Sequence, residues 1–229
     1  MPRGTAPSYE LTAAVEDYAK AIYALESRGG NVSTNALAER LGVKPASVSG
    51  MLRKLDGLGL VTHERYRGVR LTEPGRRVAL EVVRHHRLLE LYLAETLGLG
   101  WDAVHSEAER LEHALSEELE EAIAAKLGNP TLDPHGDPIP SRELKIAADR
   151  SRSLYDLVPG ASATFVRVSD ANPEMLRFLT ERGIAPGARL EVVERQPFDG
   201  PLSIRIGDEV QVLGAPLARA MRVGREKRA

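Results

Sequence analysis

Four prolines within the twelve residues 129–140, NPTLDPHGDPIP, exclude both helix and strand from that stretch. The hydrophobic period differs on its two sides: helical upstream, short and alternating downstream. A chain of 229 residues divided in this way holds two or three small domains rather than one continuous core. The expected fold class is mainly α with small β. Cysteine is absent, which removes disulfides, thiolate metal sites and cysteine nucleophiles together. No apolar run approaches the ~18 residues of a membrane-spanning helix. The opening MPRGTAPSYE has no apolar core of a secretory signal, so a cytoplasmic protein without membrane association is expected.

Upstream, Leu11, Val15, Tyr18, Ile22 and Leu25 recur at helical spacing until Gly29-Gly30. Ser33-Thr34 can cap a second helix closed by Gly42. Pro45 opens a third, running to about Leu58 with Val48, Leu52 and Leu55 inward. Residues 60–72 read as two β-prone stretches around a basic tip, a hairpin. A long helix is expected from Thr72 and Pro74 to about Leu97, another from Trp101 to Leu115, and one more from Ser116 to Gly128. The long helix carries Val78, Leu80, Val82, Leu88, Leu89 and Leu91, a breadth of apolar surface that suggests burial against a partner as well as core. Beyond residue 151, alternating runs at 163–168, 189–194, 202–206 and 209–213, with one short helix from Pro173 to Arg182, suggest a small β-barrel.

The net charge of −2 conceals a segregation. Arg40 to Arg87 carries eleven Lys and Arg against four Asp and Glu, whereas His105 to Ala122 carries seven Glu and one Arg. All six histidines lie between His63 and His135. A basic segment followed by an acidic, histidine-bearing one suits a chain that meets a polyanion and holds a cation.

Helix, turn, helix and basic hairpin is the order of a winged helix-turn-helix, in which one helix enters the major groove while flanking cations meet phosphates. The third helix offers Lys44, Ala46, Ser47, Ser49, Gly50, Arg53 and Lys54 outward, and the wing offers Arg65, Arg67 and Arg70. A solvated basic face on a helical bundle is the plain alternative. The hairpin directly after the helices favours double-stranded DNA as the partner.

Glu109, Glu112 and His113 stand at i, i+3 and i+4, with His105 one turn earlier, so one helical face would carry all four. His86 and Glu90 form an i, i+4 pair on the preceding helix, and the proline-rich loop adds Asp133 and His135. Carboxylates and imidazoles from adjacent helices can coordinate a divalent ion. The alternative is a charged helix face, which is the reading adopted for Glu117, Glu118, Glu120 and Glu121.

The series HRLLE (86–90), HSEAERLEH (105–113) and DPHGDPIP (133–140) behind a winged helix resembles the diphtheria-toxin-repressor family of metal-dependent transcriptional repressors, over essentially the whole chain. The resemblance implies a winged-helix domain over 1–73, a helical dimerisation and metal domain over 74–150, and a Src-homology-3-like barrel over 151–229. It implies one metal site from Asp17, Glu109, Glu112 and His113. A second would use His86, Glu90, Asp133, His135 and Asp170 of the barrel, with His105 matching an ancillary ligand. Iron-type members place methionine and cysteine where this chain has Asp17 and Glu109, so it looks like the manganese-responsive branch. Short manganese regulators carry a glutamate where Lys20 stands, and long ones a loop cysteine where Asp133 stands. The resemblance further implies a homodimeric repressor of metal-uptake genes that binds operator DNA with Mn2+, or Fe2+ as a second candidate, and is no enzyme. Two rivals are a metal-independent winged-helix regulator sensing a small molecule and a metallohydrolase. The latter lacks an H-E-x-x-H pattern.

Overall fold

A computed structural model of the chain describes residues 11–27, 29–64, 68–170 and 172–224. Its contacts divide into two compact units. One comprises the residues up to His85 with 112–115 and 142–144; the other comprises 86–111, 116–141 and the residues from Lys145 onward.

In the first unit, α1 (Ala13–Ser27), α2 (Thr34–Leu41) and α3 (Pro45–Gly57) precede a hairpin of β1 (Val61–Glu64) and β2 (Gly68–Leu71). The caps follow the side chains. Ser33 Oγ accepts the Ala36 amide at 3.1 Å, and Gly42 closes α2 at φ 66°, a conformation that costs a residue with a Cβ. Val15, Tyr18 and Ile22 of α1 pack with Leu37, Val48, Leu52, Leu55 and the hairpin's Val61 and Val69 in one core. That burial turns the opposite side of α3 outward. Lys44, Ala46, Ser47, Arg53 and Lys54 are exposed, Ser49 and Gly50 half-buried, and Arg70 of β2 is exposed. Arg65 and Arg67 lie outside the described residues.

The long helix α4 (Glu73–Leu97) has its division between units at His85 and His86. Its Leu80, Val82, Leu88, Leu89 and Leu91 are buried within the single chain, the core share of the apolar breadth expected of this helix, and Val78 is half-buried. The next helix is shorter than its expected span of 101–115. α5 covers Val104–Leu111, and the chain tightens to a 3₁₀ turn over Glu112–Ala114. With about three residues per turn there, side chains on the two sides of Leu111 no longer share one α-helical face. α6 (Glu117–Lys126) follows, capped by Ser116 Oγ on the Leu119 amide.

The second unit contains a six-stranded antiparallel sheet in the order β3 (Arg152–Ser153), β8 (Arg222–Gly224), β4 (Ser162–Arg167), β5 (Arg189–Arg195), β6 (Leu202–Ile206), β7 (Glu209–Leu213). The sheet is not a closed barrel. β3 has two residues and enters a 3₁₀ turn, and no pairing joins it to β7 among the described residues. α7 (Pro173–Thr180) and α8 (Ala215–Ala220) cover Phe165, Leu190, Val192, Leu202 and Ile204 in the core. No described helix is long and apolar enough to cross a membrane.

Candidate metal centre

Two groups of ionisable side chains stand out, one in each unit. In the first, α1 presents Glu16, Asp17 and Lys20 to the 3₁₀ turn that carries Glu112 and His113. The turn is held by its backbone: His85 Nδ1 donates to the Glu112 carbonyl at 3.1 Å. His113 Nε2 lies 2.9 Å from Asp17 Oδ1 and 3.5 Å from Glu112 Oε1. Its other nitrogen, Nδ1, is 2.6 Å from Glu16 Oε2. Both ring nitrogens donate to carboxylates, Nδ1–H to Glu16 and Nε2–H to Asp17, so Nε2 is the nitrogen that would give up its proton to ligate an ion shared with Asp17 and Glu112. Burial lowers the His113 pKa, but the Glu16 hydrogen bond and the charges of Asp17, Glu112 and Glu16 outweigh it, and the net direction is upward. Glu112 is fully buried, and both its oxygens receive Lys20 Nζ, at 2.9 and 2.8 Å. A shallow cavity of about 250 Å³ opens beside this group between Glu16, Glu81, His85 and His113.

In the second unit, His86 and Glu90 of α4, His105 of α5 and Asp170 after β4 converge. His86 Nε2 lies 3.0 Å from both Glu90 Oε1 and His105 Nδ1. His105 Nδ1 lies 3.2 Å from Glu90 Oε1 and 3.1 Å from Asp170 Oδ2. Donors bound to one divalent ion at about 2.1 Å and at right angles to one another lie ~3 Å apart. Glu109 stands at the edge of this group, its Oε1 4.0 Å from His86 Nδ1 and 3.9 Å from His105 Nε2. It is not among the donors gathered with Asp17, Glu112 and His113.

The proline-rich loop brings His135 to the other face of Glu90. It is fastened at both sides of that residue. The His135 carbonyl accepts the Val168 amide at 3.1 Å, and Gly136, at φ 88°, packs so closely that a Cβ would sit 1.9 Å from the Val166 carbonyl oxygen. The His135 ring stacks on Trp101 at 5.7 Å between centroids, with Nε2 bonded to the Trp101 carbonyl. Asp133 turns one oxygen inward to its own loop, where Oδ1 accepts the His135 and Asp137 amides at 2.9 Å each, and Oδ2 lies 3.6 Å from Arg87 Nε. Asp133, Glu90 and His135 nevertheless form one buried group.

Charge balance in this cluster is carried by protons. Hydrogen bonds to Asp170 and Glu90 raise the His105 pKa to about 10 against the opposing effect of burial. His135 rises to about 9, because the Glu90 contact and the charges of Glu90 and Asp133 outweigh its desolvation. Burial works to raise Glu90, but hydrogen bonds from His105 and His86 and the nearby His135 hold it well below the usual carboxylate range. Asp133 is pushed to about 7, by burial first and then by the negative charge of Glu90 and Asp137. Two buried atoms, Glu90 Oε2 and His135 Nδ1, have no hydrogen-bond partner among the described residues. Converging oxygen and nitrogen atoms, histidine protons that an ion could displace and two buried atoms without hydrogen-bond partners fit a divalent cation. The donors are all oxygen and imidazole nitrogen, as Mn2+ and Fe2+ accept.

Glu16, the Lys20–Glu112 pair and the Trp101 stack have no part in the sequence-derived ligand set. Glu16 and Lys20 do stand at i and i+4 about Asp17, a spacing that puts them on one face of α1. Trp101 carries no such signal.

Residues 10–69 match the family model for the iron dependent repressor N-terminal DNA binding domain, residues 72–141 that for its metal binding and dimerisation domain, and residues 152–225 the FeoA domain. The iron-dependent repressor IdeR of Mycobacterium tuberculosis is 34% identical over 226 residues, covering 93% of this chain and 98% of the relative. The diphtheria toxin repressor of Corynebacterium diphtheriae is 32% identical over 206 residues, covering 89% and 86%. A manganese-dependent transcriptional repressor solved in complex with manganese superposes with a TM-score of 0.86 at 44% identity, over 91% of this chain and 98% of its own. The chain therefore belongs to the iron-dependent and diphtheria-toxin repressors, a family of metal-dependent DNA-binding transcriptional repressors.

Proposed function

We propose that this repressor is manganese-responsive, with ferrous iron as a second activating ion, and that it acts in the cytoplasm as a homodimer on an operator of metal-uptake genes, without catalysing a reaction. The single observation that carries the metal assignment is the donor set. Asp17, Glu112 and His113 in one group, and His86, Glu90, His105 and Asp170 in the other, supply oxygen and imidazole nitrogen with no sulfur. Glu109, Asp133 and His135 are further donors at the margins of the second group. Divalent-ion affinity at any such site still follows the Irving–Williams order, so preference for manganese must come from coordination number and shape.

When bound, the cation supplies positive charge that offsets the crowded carboxylates. The chain's own part is to connect segments far apart in sequence. Asp17 lies on α1, whose opposite face packs on α2 and α3, and His113 lies 96 residues further on. The strength with which Asp17 is held to the 112–113 turn therefore bears on the placement of α3, whose Lys44, Ala46, Ser47, Ser49, Gly50, Arg53 and Lys54 are the proposed DNA face together with the wing residues Arg65 and Arg67. A coupling of ~1–3 kcal/mol between ion and DNA binding is the usual scale for such a linkage. The match of residues 72–141 to a dimerisation domain supports two copies reading two half-sites.

The test is anisotropy of a duplex selected from a random library with Mn2+ present. Chelator should abolish binding, and Mn2+ should restore it at lower free concentration than millimolar. Equal affinity with and without chelator would overturn the metal-responsive reading. Activation by Zn2+ with none by Mn2+ or Fe2+ would overturn the choice of ion.

A further inference from the structure

The carboxylate buried deepest in the first group already has a cation. Lys20 Nζ lies 2.9 and 2.8 Å from the two carboxylate oxygens of Glu112, whose side chain is fully buried while that of Lys20 is 16% exposed. Resting on the reading of Asp17, Glu112 and His113 as a metal site, we propose that Lys20 is a built-in competitor for Glu112 and thereby sets the free-metal concentration at which that site fills.

The competition is electrostatic and geometric. A carboxylate engaged at both oxygens by an ammonium has to release at least one of them before it ligates a metal ion. An ammonium left within a few ångströms of a divalent ion repels it in a site screened from water. Lysine suits the role because its charge sits at the end of a four-carbon stem with rotatable donors, so it can withdraw toward solvent without moving α1. Without Lys20, Glu112 would be a buried carboxylate near Asp17, with a higher cost in the metal-free protein and a stronger attraction for any divalent ion. The residue thus stabilises the metal-free protein and opposes ion capture by the same contact.

The experiment uses the full-length protein and Mn2+ itself, with free Mn2+ followed by its electron paramagnetic resonance signal during titration, and metal-free unfolding followed by circular dichroism. His113→Ala identifies which binding step belongs to this site. Lys20→Met should shift that step to about tenfold lower free Mn2+ or further, while lowering the unfolding temperature of the metal-free protein. Lys20→Arg keeps the charge in a fork that meets both carboxylate oxygens, and should shift the step to higher free Mn2+. This second variant retains the contact and answers the question if Lys20→Met fails to fold. An unchanged or weaker step in Lys20→Met, or an unchanged or tighter step in Lys20→Arg, would overturn the competitor role. If His113→Ala leaves the whole titration unaltered, the site reading fails and the competitor role with it, an outcome distinct from a site that is lost in His113→Ala yet insensitive to Lys20.

Discussion

Glu90 Oε2 and His135 Nδ1 face each other across 3.7 Å, both buried, and neither atom has a hydrogen-bond partner among the described residues. Protonated His135 and Glu90 attract at this distance but form no hydrogen bond, so a ligand that satisfies both atoms should bind the folded chain and stabilise it. A hundredfold excess of Mn2+ over its dissociation constant would add about 2.7 kcal/mol to a single site. Differential scanning calorimetry should show an upward shift of several degrees between chelated and Mn2+-loaded protein. Glu90→Gln, which removes the charge shared by His86, His105 and His135, should lose the part of the shift that arises in this cluster. Identical traces for chelated and loaded wild-type protein would contradict a cation seated at these atoms.

The same cluster gives a dependence on pH. In the unfolded chain a histidine releases its proton near 6.5, whereas folded His105 keeps it to about 10 and His135 to about 9. A folded pKa above the unfolded one means that the stabilisation is complete below about 6.5 and fades as pH rises through the folded values. The chelated protein should therefore lose stability between pH 7 and 10. Mn2+ affinity should tighten over the same interval, because fewer protons compete for the imidazoles. Urea titrations at a series of pH values, with and without Mn2+, read both slopes. Metal-free stability that rises across the interval would refute the assignment of charge to these histidines.

His113 is oriented by a carboxylate that stands apart from the converging donors. Glu16 Oε2 lies 2.6 Å from His113 Nδ1, on the side of the ring away from Asp17. Loss of such an orienting carboxylate typically costs 10–100-fold in metal affinity. Glu16→Ala should show a loss of that size at the site removed by His113→Ala. Glu16→Gln can still accept the Nδ1 hydrogen through its amide oxygen and should lose much less. Nitrogen NMR of the protein loaded with a diamagnetic divalent ion should report His113 with Nδ1 protonated and Nε2 metal-bound in wild type and Glu16→Gln, and a mixture of ring states in Glu16→Ala. Equal losses in the two variants would mean that charge, not orientation, is what Glu16 provides.

Periodicity made the helical half legible because each helix has a distinct apolar face and a chemical stop, as with Ser33 and Gly42 around α2. Local spacing also pairs His86 with Glu90, one turn apart on α4. It does not reveal the change of helix at Leu111, since Glu109, Glu112 and His113 satisfy an α-helical pattern up to the point where the chain tightens. Contacts such as Glu16 with His113, 97 residues apart, depend on tertiary packing and leave no local trace. Likewise β3 and β8, of two and three residues, are too short to alternate visibly, and they are what makes the sheet open at β3 rather than a barrel. Asp133 reads as a ligand by type, but its Oδ1 is committed to two amides of its own loop, which only the folded turn discloses.

Gly136 is the point at which the loop carrying His135 can be loosened without touching a charged group. Its φ of 88° is strained for any residue with a side chain, and the added Cβ would meet the Val166 carbonyl oxygen at 1.9 Å, a distance only backbone movement can relieve. Gly128, at φ 75°, has nothing within 4 Å of the same position, so Gly128→Ala isolates the conformational cost alone, about 1–3 kcal/mol. Gly136→Ala should cost more than Gly128→Ala in urea unfolding, because it also pushes the loop from β4 and weakens the bond from the Val168 amide to the His135 carbonyl. It should lower Mn2+ affinity at the His86–Glu90 cluster while leaving the step removed by His113→Ala in place. Trp101 is the only tryptophan of the chain and stacks on His135, so its fluorescence reads the displacement directly. If Gly136→Ala and Gly128→Ala destabilise equally and the Trp101 emission is unchanged, the close approach to Val166 is not what positions His135.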